Sequence, residues 1–211
     1  ELYPSISGLS MLQADKPLPE GAQDIALTKQ GFGQDDASVG FGLLVQNPNA
    51  GFAIENTEYR VTLFAEDDSV LGATEGYIDV LLPTQTLGVG DSITVDEDTV
   101  VSRADMQILA GKFVPSDSVP TFGAENVSYL ADKYFPKVTG EVINPYAKDI
   151  TNLRVAAVAY DEADHIIGGG FTFLDFIPAN GKAAAEVYIT ARGEPAKVEL
   201  YATLSNLSEV E

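Results

Sequence analysis

The chain of 211 residues has no cysteine, no tryptophan and a single histidine. Without cysteine there are no disulfides, no thiol nucleophile and no thiolate metal site. Any histidine-dependent triad would have to use His165. Positive charge is also scarce: 12 Lys and Arg face 32 Asp and Glu, for a formal net charge of −20 and a pI near 4.1. A field of that sign repels phosphate backbones and anionic headgroups, which argues against nucleic acid and bare membrane as partners. No apolar run approaches the roughly 18 residues a membrane helix needs. The first residue is Glu1 rather than methionine, from which we expect a leader or lipoprotein signal upstream.

The same charge predicts a salt response. Self-repulsion opposes the compact state, and counterions screen it over about 8–10 Å at physiological ionic strength. The melting temperature is therefore expected to rise between about 10 and 150 mM NaCl, the range over which screening sets in. A flat or falling curve would remove charge repulsion as a determinant of stability.

What is present is a repeat. GFGLLVQNPNAGFAIENTEYRVTLFAEDDSVLGATEG in the first half is answered by VTGEVINPYAKDITNLRVAAVAYDEADHIIGGG, residues 138–170, in the second. Asn47-Pro48 matches Asn144-Pro145 at an offset of 97, Ile54 and Asn56 match Ile150 and Asn152 at 96, and Leu82-Pro83 matches Ile177-Pro178 at 95. Phe64, Val70 and Gly72 keep the offset of 96 against Tyr160, Ile166 and Gly168. A period near 95 residues is too long for a solenoid unit and about the length of one β-sandwich. The 45% hydrophobic content is enough for two cores.

Residues 1–21, with Pro4, Pro17, Pro19 and an apolar patch at Leu9 to Leu12, form an N-terminal arm. The first module, 22–115, opens with Asp24 to Lys29, turns at Gln34-Asp35-Asp36 and returns as a glycine-interrupted strand, Ala37 to Gln46. Asn47 to Gly51 breaks it. Tyr59, Val61 and Leu63 then alternate with Arg60 and Thr62, so this strand buries one face. Glu66 to Ser69 makes a hairpin, Gly76 to Leu82 runs to a stop at Pro83, and Thr84 to Asp91 is expected to be a loop before a short strand, Ile93 to Val95. Asp105 to Phe113 closes the module as a strand, and Pro115 to Pro120 is the linker.

The second module, 119–211, repeats the plan: Val127 to Leu130, Val138 to Ile143, then Leu153, Val155, Ala157 and Ala159 on one strand face, a turn at Glu162-Ala163-Asp164, and strands at Ile166 to Phe173, Ala184 to Thr190 and Lys197 to Leu204. No ten-residue stretch is amphipathic with helical period, although Ala104 to Ala110 alone could pass for a helical turn. The pattern predicts an all-β protein of two tandem antiparallel sandwiches arising by internal duplication.

Gly140-Glu141-Val142-Ile143-Asn144, Val158-Ala159-Tyr160-Asp161, Gly168 and the Pro178 to Gly181 loop resemble the FxLYD-type domain of bacterial exported proteins. The first module departs from that pattern at Leu63-Phe64-Ala65-Glu66, which lacks Asp directly after the aromatic. Its Asn47-Pro48-Asn49 is similar to the late-embryogenesis-abundant WHy domain. The resemblance implies immunoglobulin-like sandwiches in an exported or cell-envelope protein, one form of which is lipid-anchored through a segment upstream, and it brings no catalytic residues.

The candidate chemical residues each have a plainer reading. His165 beside Asp161, Glu162 and Asp164 has the donors of a base or metal ligand, yet its counterpart is Ser69 and an exposed turn offers no pocket. Glu66-Asp67-Asp68, Asp96-Glu97-Asp98 and Asp161 to Asp164 supply hard oxygen ligands for calcium, but none has EF-hand spacing, and such clusters are usually hydrated surface. Gly168-Gly169-Gly170 lacks the Lys and Ser/Thr of a phosphate loop and reads as a bulge or bend. Asn126-Val127-Ser128 and Asn206-Leu207-Ser208 are sequons that matter only in a eukaryotic secretory route. No residue is therefore assigned as catalytic, cofactor-binding or metal-ligating, and no cofactor is expected. The sequence points to a non-catalytic exported protein serving as binding surface, scaffold or spacer for an unknown protein or cell-envelope partner. The alternative is a carboxylate-dependent extracellular hydrolase or its accessory domain.

Overall fold

Strand alternation in the first half resolves into seven strands: β1 (Ala26–Asp35), β2 (Ser38–Gln46), β3 (Phe52–Phe64), β4 (Val70–Leu81), β5 (Thr86–Thr94), β6 (Arg103–Leu109) and β7 (Lys112–Pro115). The computed structural model describes residues 18–109, 111–117 and 119–210, so most of the expected arm, including Leu9 to Leu12, lies outside the described residues. In the second half follow β8 (Gly123–Leu130), β9 (Lys137–Ile143), β10 (Ile150–Tyr160), β11 (Ile166–Ile177), β12 (Lys182–Tyr188), β13 (Thr190–Ala191), β14 (Lys197–Thr203) and β15 (Glu209–Val210). There is no helix among the described residues, and every strand pair is antiparallel.

The two halves share a strand order. The first pairs β1-β2-β5 in one sheet and β4-β3-β6, with β7 also on β3, in another. In the second half, β8-β9-β12 form a three-stranded sheet and β11-β10-β14, with β13 at one edge and β15 on β10, form the larger one. Within the first half, Val39, Phe41, Leu43 and Val45 of β2 meet Tyr59, Val61 and Leu63 of β3 in a fully buried core. Val155, Ala157 and Ala159 of β10 meet Val138, Val142 and Val187 in the second. All six residues expected inward from alternation on β3 and β10 are buried.

Two landmarks of the repeat have a physical reason. Asn47 and Asn144 are buried at matching turns, where their amides serve backbone groups that no ladder reaches. Asn47 Nδ2 donates to the carbonyls of Phe52 (2.7 Å) and Leu82 (3.0 Å), and its Oδ1 accepts from Asn49 N at 3.0 Å. Asn144 Nδ2 donates to Lys148 and Pro178 at 2.8 and 3.0 Å, and its Oδ1 accepts from Tyr146 N. Asn56 and Asn152 are left-handed, with φ of 54° and 52°, a conformation few residues other than glycine and asparagine adopt readily.

The halves are not spaced apart by their linker. The β1-β2-β5 sheet lies face to face on the β13-β11-β10-β14 sheet, giving four stacked layers whose two middle sheets have protein on both sides. β2 and β10 are accordingly buried almost without alternation. Glycines make this approach possible. A Cβ at Gly31, Gly33 or Gly40 would lie closer than 3.0 Å to the carbonyl oxygens of Ile166, Ile167 and Thr190, and one at Gly42 would be 2.9 Å from side-chain carbons of Ile166 and Val158. The ring of Tyr201 rests on Gly88, and Gly90 meets the backbone of Ala157 and Gly170.

Two expectations are corrected by this packing. Thr84 to Asp91 is not a loop: β5 begins at Thr86 and its glycines sit in a regular ladder with β2. Of the bulge or bend expected at Gly168 to Gly170, the bulge is present at their start, where Tyr160 pairs with Ile166 and Ala159 with Gly168, but there is no bend: the three glycines continue β11. In both places glycine marks where another sheet or strand comes close.

Candidate functional site

The acidic turns are explained by their backbones. Asp36, Asp68, Asp98 and Asp164 all have positive φ, between 49° and 64°, a turn conformation that aspartate tolerates. Asp161 Oδ1 accepts from the amides of Ala163 and His165, both at 2.9 Å, and those hydrogen bonds hold its carboxyl below the usual range. Asp67 does the same for Ser69 and is lowered likewise, its side-chain hydrogen bond from Ser69 being the larger cause. His165 is exposed, its Nδ1 3.3 Å from Asp161 Oδ2, in the turn expected for it. Among the described residues, no three of His, Asp and Glu converge to hold a metal ion.

A polar cluster missed by motif reading sits at the seam between halves. Tyr160 and Tyr201 both donate to Glu199 Oε2, at 2.8 and 2.6 Å, and Lys197 Nζ is 2.9 Å from Glu199 Oε1. Lys197 also lies 4.6 Å above the Tyr160 ring and 3.6 Å from Asp164, and Asp164 accepts from Lys29 of β1. Burial pushes both phenols well above their ordinary value, and Glu199 adds to the rise in each. Burial opposes ionisation of Glu199, but hydrogen bonds from Tyr201, Lys197 and Tyr160 outweigh it and lower its pKa. The phenols stay protonated and donate to Glu199, and the Lys29–Asp164 pair carries the cluster across to the first half. The alternation Lys197-Val198-Glu199-Leu200-Tyr201, which puts lysine, glutamate and tyrosine on one strand face, is its sequence signal.

This predicts an alkaline transition. Tyr59, buried with its hydroxyl 3.1 Å from Asp91 Oδ2, is raised as well, chiefly by desolvation. A raised folded pKa means that the stabilisation is complete below the unfolded value of about 10 and is lost as pH rises above it. Stability should hold to about pH 9 and then fall steeply, with phenolate absorbance and loss of circular dichroism rising together for these three tyrosines. Smooth ionisation of all the tyrosines in a still-folded chain would contradict it.

Two openings lie along the seam. A cleft of about 940 Å³ is lined by Phe32, Asp36, Glu97, Asp98 and Val100 of the first half, with Arg192 reaching it from the second. Its rim loop is pinned by Gln34, whose Nε2 donates to Thr99 O at 2.7 Å and whose Oε1 accepts from Val101 N at 2.8 Å. The other is a groove of about 390 Å³ between β4, the β10–β11 face and the turn after β14, lined by Asn56, Tyr77, Asp79, Arg154, Phe173, Ser205 and Asn206. No family model and no curated protein matches the chain.

Proposed function

We propose that this chain is a non-catalytic, exported or cell-envelope protein in which two β-sandwiches present a binding surface or scaffold. The observation that carries the proposal is the seam: sheets in contact through glycine backbones fix the two walls of the groove against one another. A site assembled from rigid elements loses little ordering entropy on binding. The FxLYD-like residues Gly140 to Asn144 and Val158 to Asp161 support the exported setting and the duplicated plan. Face-to-face packing favours a platform over an extended spacer. The hydrolase reading has one observation in its favour, the three carboxylates Asp36, Glu97 and Asp98 along one cleft.

Fractionation of the source cells and an assay of the purified chain test both. The proposal expects the protein in the envelope or medium and no turnover of glycosides or esters. A wholly cytosolic location would overturn the exported setting. Turnover abolished by Asp36→Asn or Glu97→Gln would establish the hydrolase.

A further inference from the structure

We infer that the groove at the seam binds a neutral oligosaccharide, a reading that rests on the binding function just proposed. The floor follows from strand register. On the β10 face that meets the first half, Tyr201, Ala156 and Phe171 stand side by side, and the next row is Thr203, Arg154 and Phe173. Gly88 covers the first row through the Tyr201 ring. Arg154 and Phe173 of the second row line the open groove.

Arg154 is held there ready-made. Its guanidinium stacks 3.8 Å from the Phe171 centroid and donates to Gly90 O at 3.3 Å. A guanidinium has five N–H donors in a fixed plane, so others remain for a ligand. Among the described residues no carboxylate forms an ion pair with it, although Asp79 lines the same groove. Tyr77 and Phe173 line the groove as exposed rings, 53% and 37% accessible, and Phe173 is braced edge-on against Phe171. Asn56, Asp79, Ser205 and Asn206 add amide, carboxylate and hydroxyl groups.

Exposed aromatic faces next to planar polar groups match one ligand chemistry. A sugar ring presents apolar C–H faces, which lie on the electron-rich face of an aromatic ring, and an equatorial rim of hydroxyls that both donate and accept. Arg154 can only donate and Asp79 only accept, and hydroxyls satisfy both. Charge selects among sugars. Asp79 in the groove and the net charge of −20 disfavour a polyanionic glycan. An open groove also suits several residues of a chain better than a single small solute, which would keep most of its hydration.

The test is calorimetric titration of the whole chain with neutral hexasaccharides of glucose, xylose, mannose and N-acetylglucosamine, with polygalacturonate as the charged arm. The expected result is binding of at least one neutral hexasaccharide, weakened at least tenfold in Tyr77→Ala and in Phe173→Ala at unchanged melting temperature. Phe176→Ala, an exposed ring of β11 that does not line the groove, should bind as the parent does. Absence of binding to every neutral hexasaccharide, preference for polygalacturonate, or binding indifferent to Tyr77 and Phe173 would each overturn the inference. None of these outcomes touches the exported, non-catalytic reading, which fails only on its own fractionation and turnover assays.

Discussion

Gly90→Val is expected to cost about 3 kcal/mol or more, which for a chain of this size lowers the melting temperature by roughly 6–12 °C. The position is extended backbone in β5 with no unusual φ, so dihedral freedom is not the reason. A Cβ there would lie closer than 3.0 Å to backbone atoms of both Ala157 and Gly170, and backbone cannot rotate away as a side-chain tip can. The middle sheets would have to separate, opening the contact that buries Val158, Tyr160 and Ile166. Gly51→Ala, at a site with nothing within 4 Å, is the matched control and should change stability by no more than about 0.5 kcal/mol. Calorimetry of both variants decides it. An unperturbed Gly90→Val protein, or two separate transitions in the parent, would show that the sheets do not stay in contact in solution.

Asn47→Asp should be nearly as damaging, at about 3 kcal/mol or more, although it changes almost no volume. The amide nitrogen is the atom that matters. It faces the carbonyls of Phe52, Leu81 and Leu82, and a carboxylate oxygen there would meet acceptors with another acceptor at a buried site. Asn47→Ala takes the side-chain donor from the same carbonyls, of which Leu82 O keeps Gln85 N at 3.1 Å, and takes the acceptor from Asn49 N, with a small cavity in addition. If packing alone held the turn, the aspartate variant would unfold at the same denaturant concentration as the parent. That result would refute the hydrogen-bonding account.

Much of this was legible in the chain. Period-two alternation placed Tyr59, Val61, Leu63, Val155, Ala157 and Ala159 in cores, and Asn-Pro and acidic turns marked strand ends. Glycine misled because in a strand it has two opposite meanings, a break or a close approach, and spacing cannot separate them. Thr84 to Asp91 reads as a loop for that reason, and Gly168 to Gly170 as a bulge or bend, of which only the bulge at their start is present. A second signal was available in Val155-Ala156-Ala157-Val158-Ala159-Tyr160, an unbroken apolar run of the kind that marks a strand covered on both faces. The groove had no such signal. Arg154 and Phe173 are cross-strand partners on β10 and β11, and Tyr77 joins them in the groove only because the two halves pack together.

The seam joins unlike faces, a three-stranded sheet from one half and a larger sheet from the other, and contacts of that kind can in principle propagate into open polymers. Each end of the chain offers the face the other end would need: β8-β9-β12 at one, β4-β3-β6 at the other. The free three-stranded face lacks the glycines that admit a neighbour. Where β2 has Gly40, Gly42 and Leu44, the matching positions of β9 hold Lys137, Thr139 and Glu141, and Lys137 pairs with Glu186 at 2.7 Å. At the opposite end Arg60 bridges Glu58 and Glu75 across β3 and β4. Adding another unit would strip water from these ions without offering partners. Charge at both outer faces therefore opposes the stacking of a further sheet on either of them.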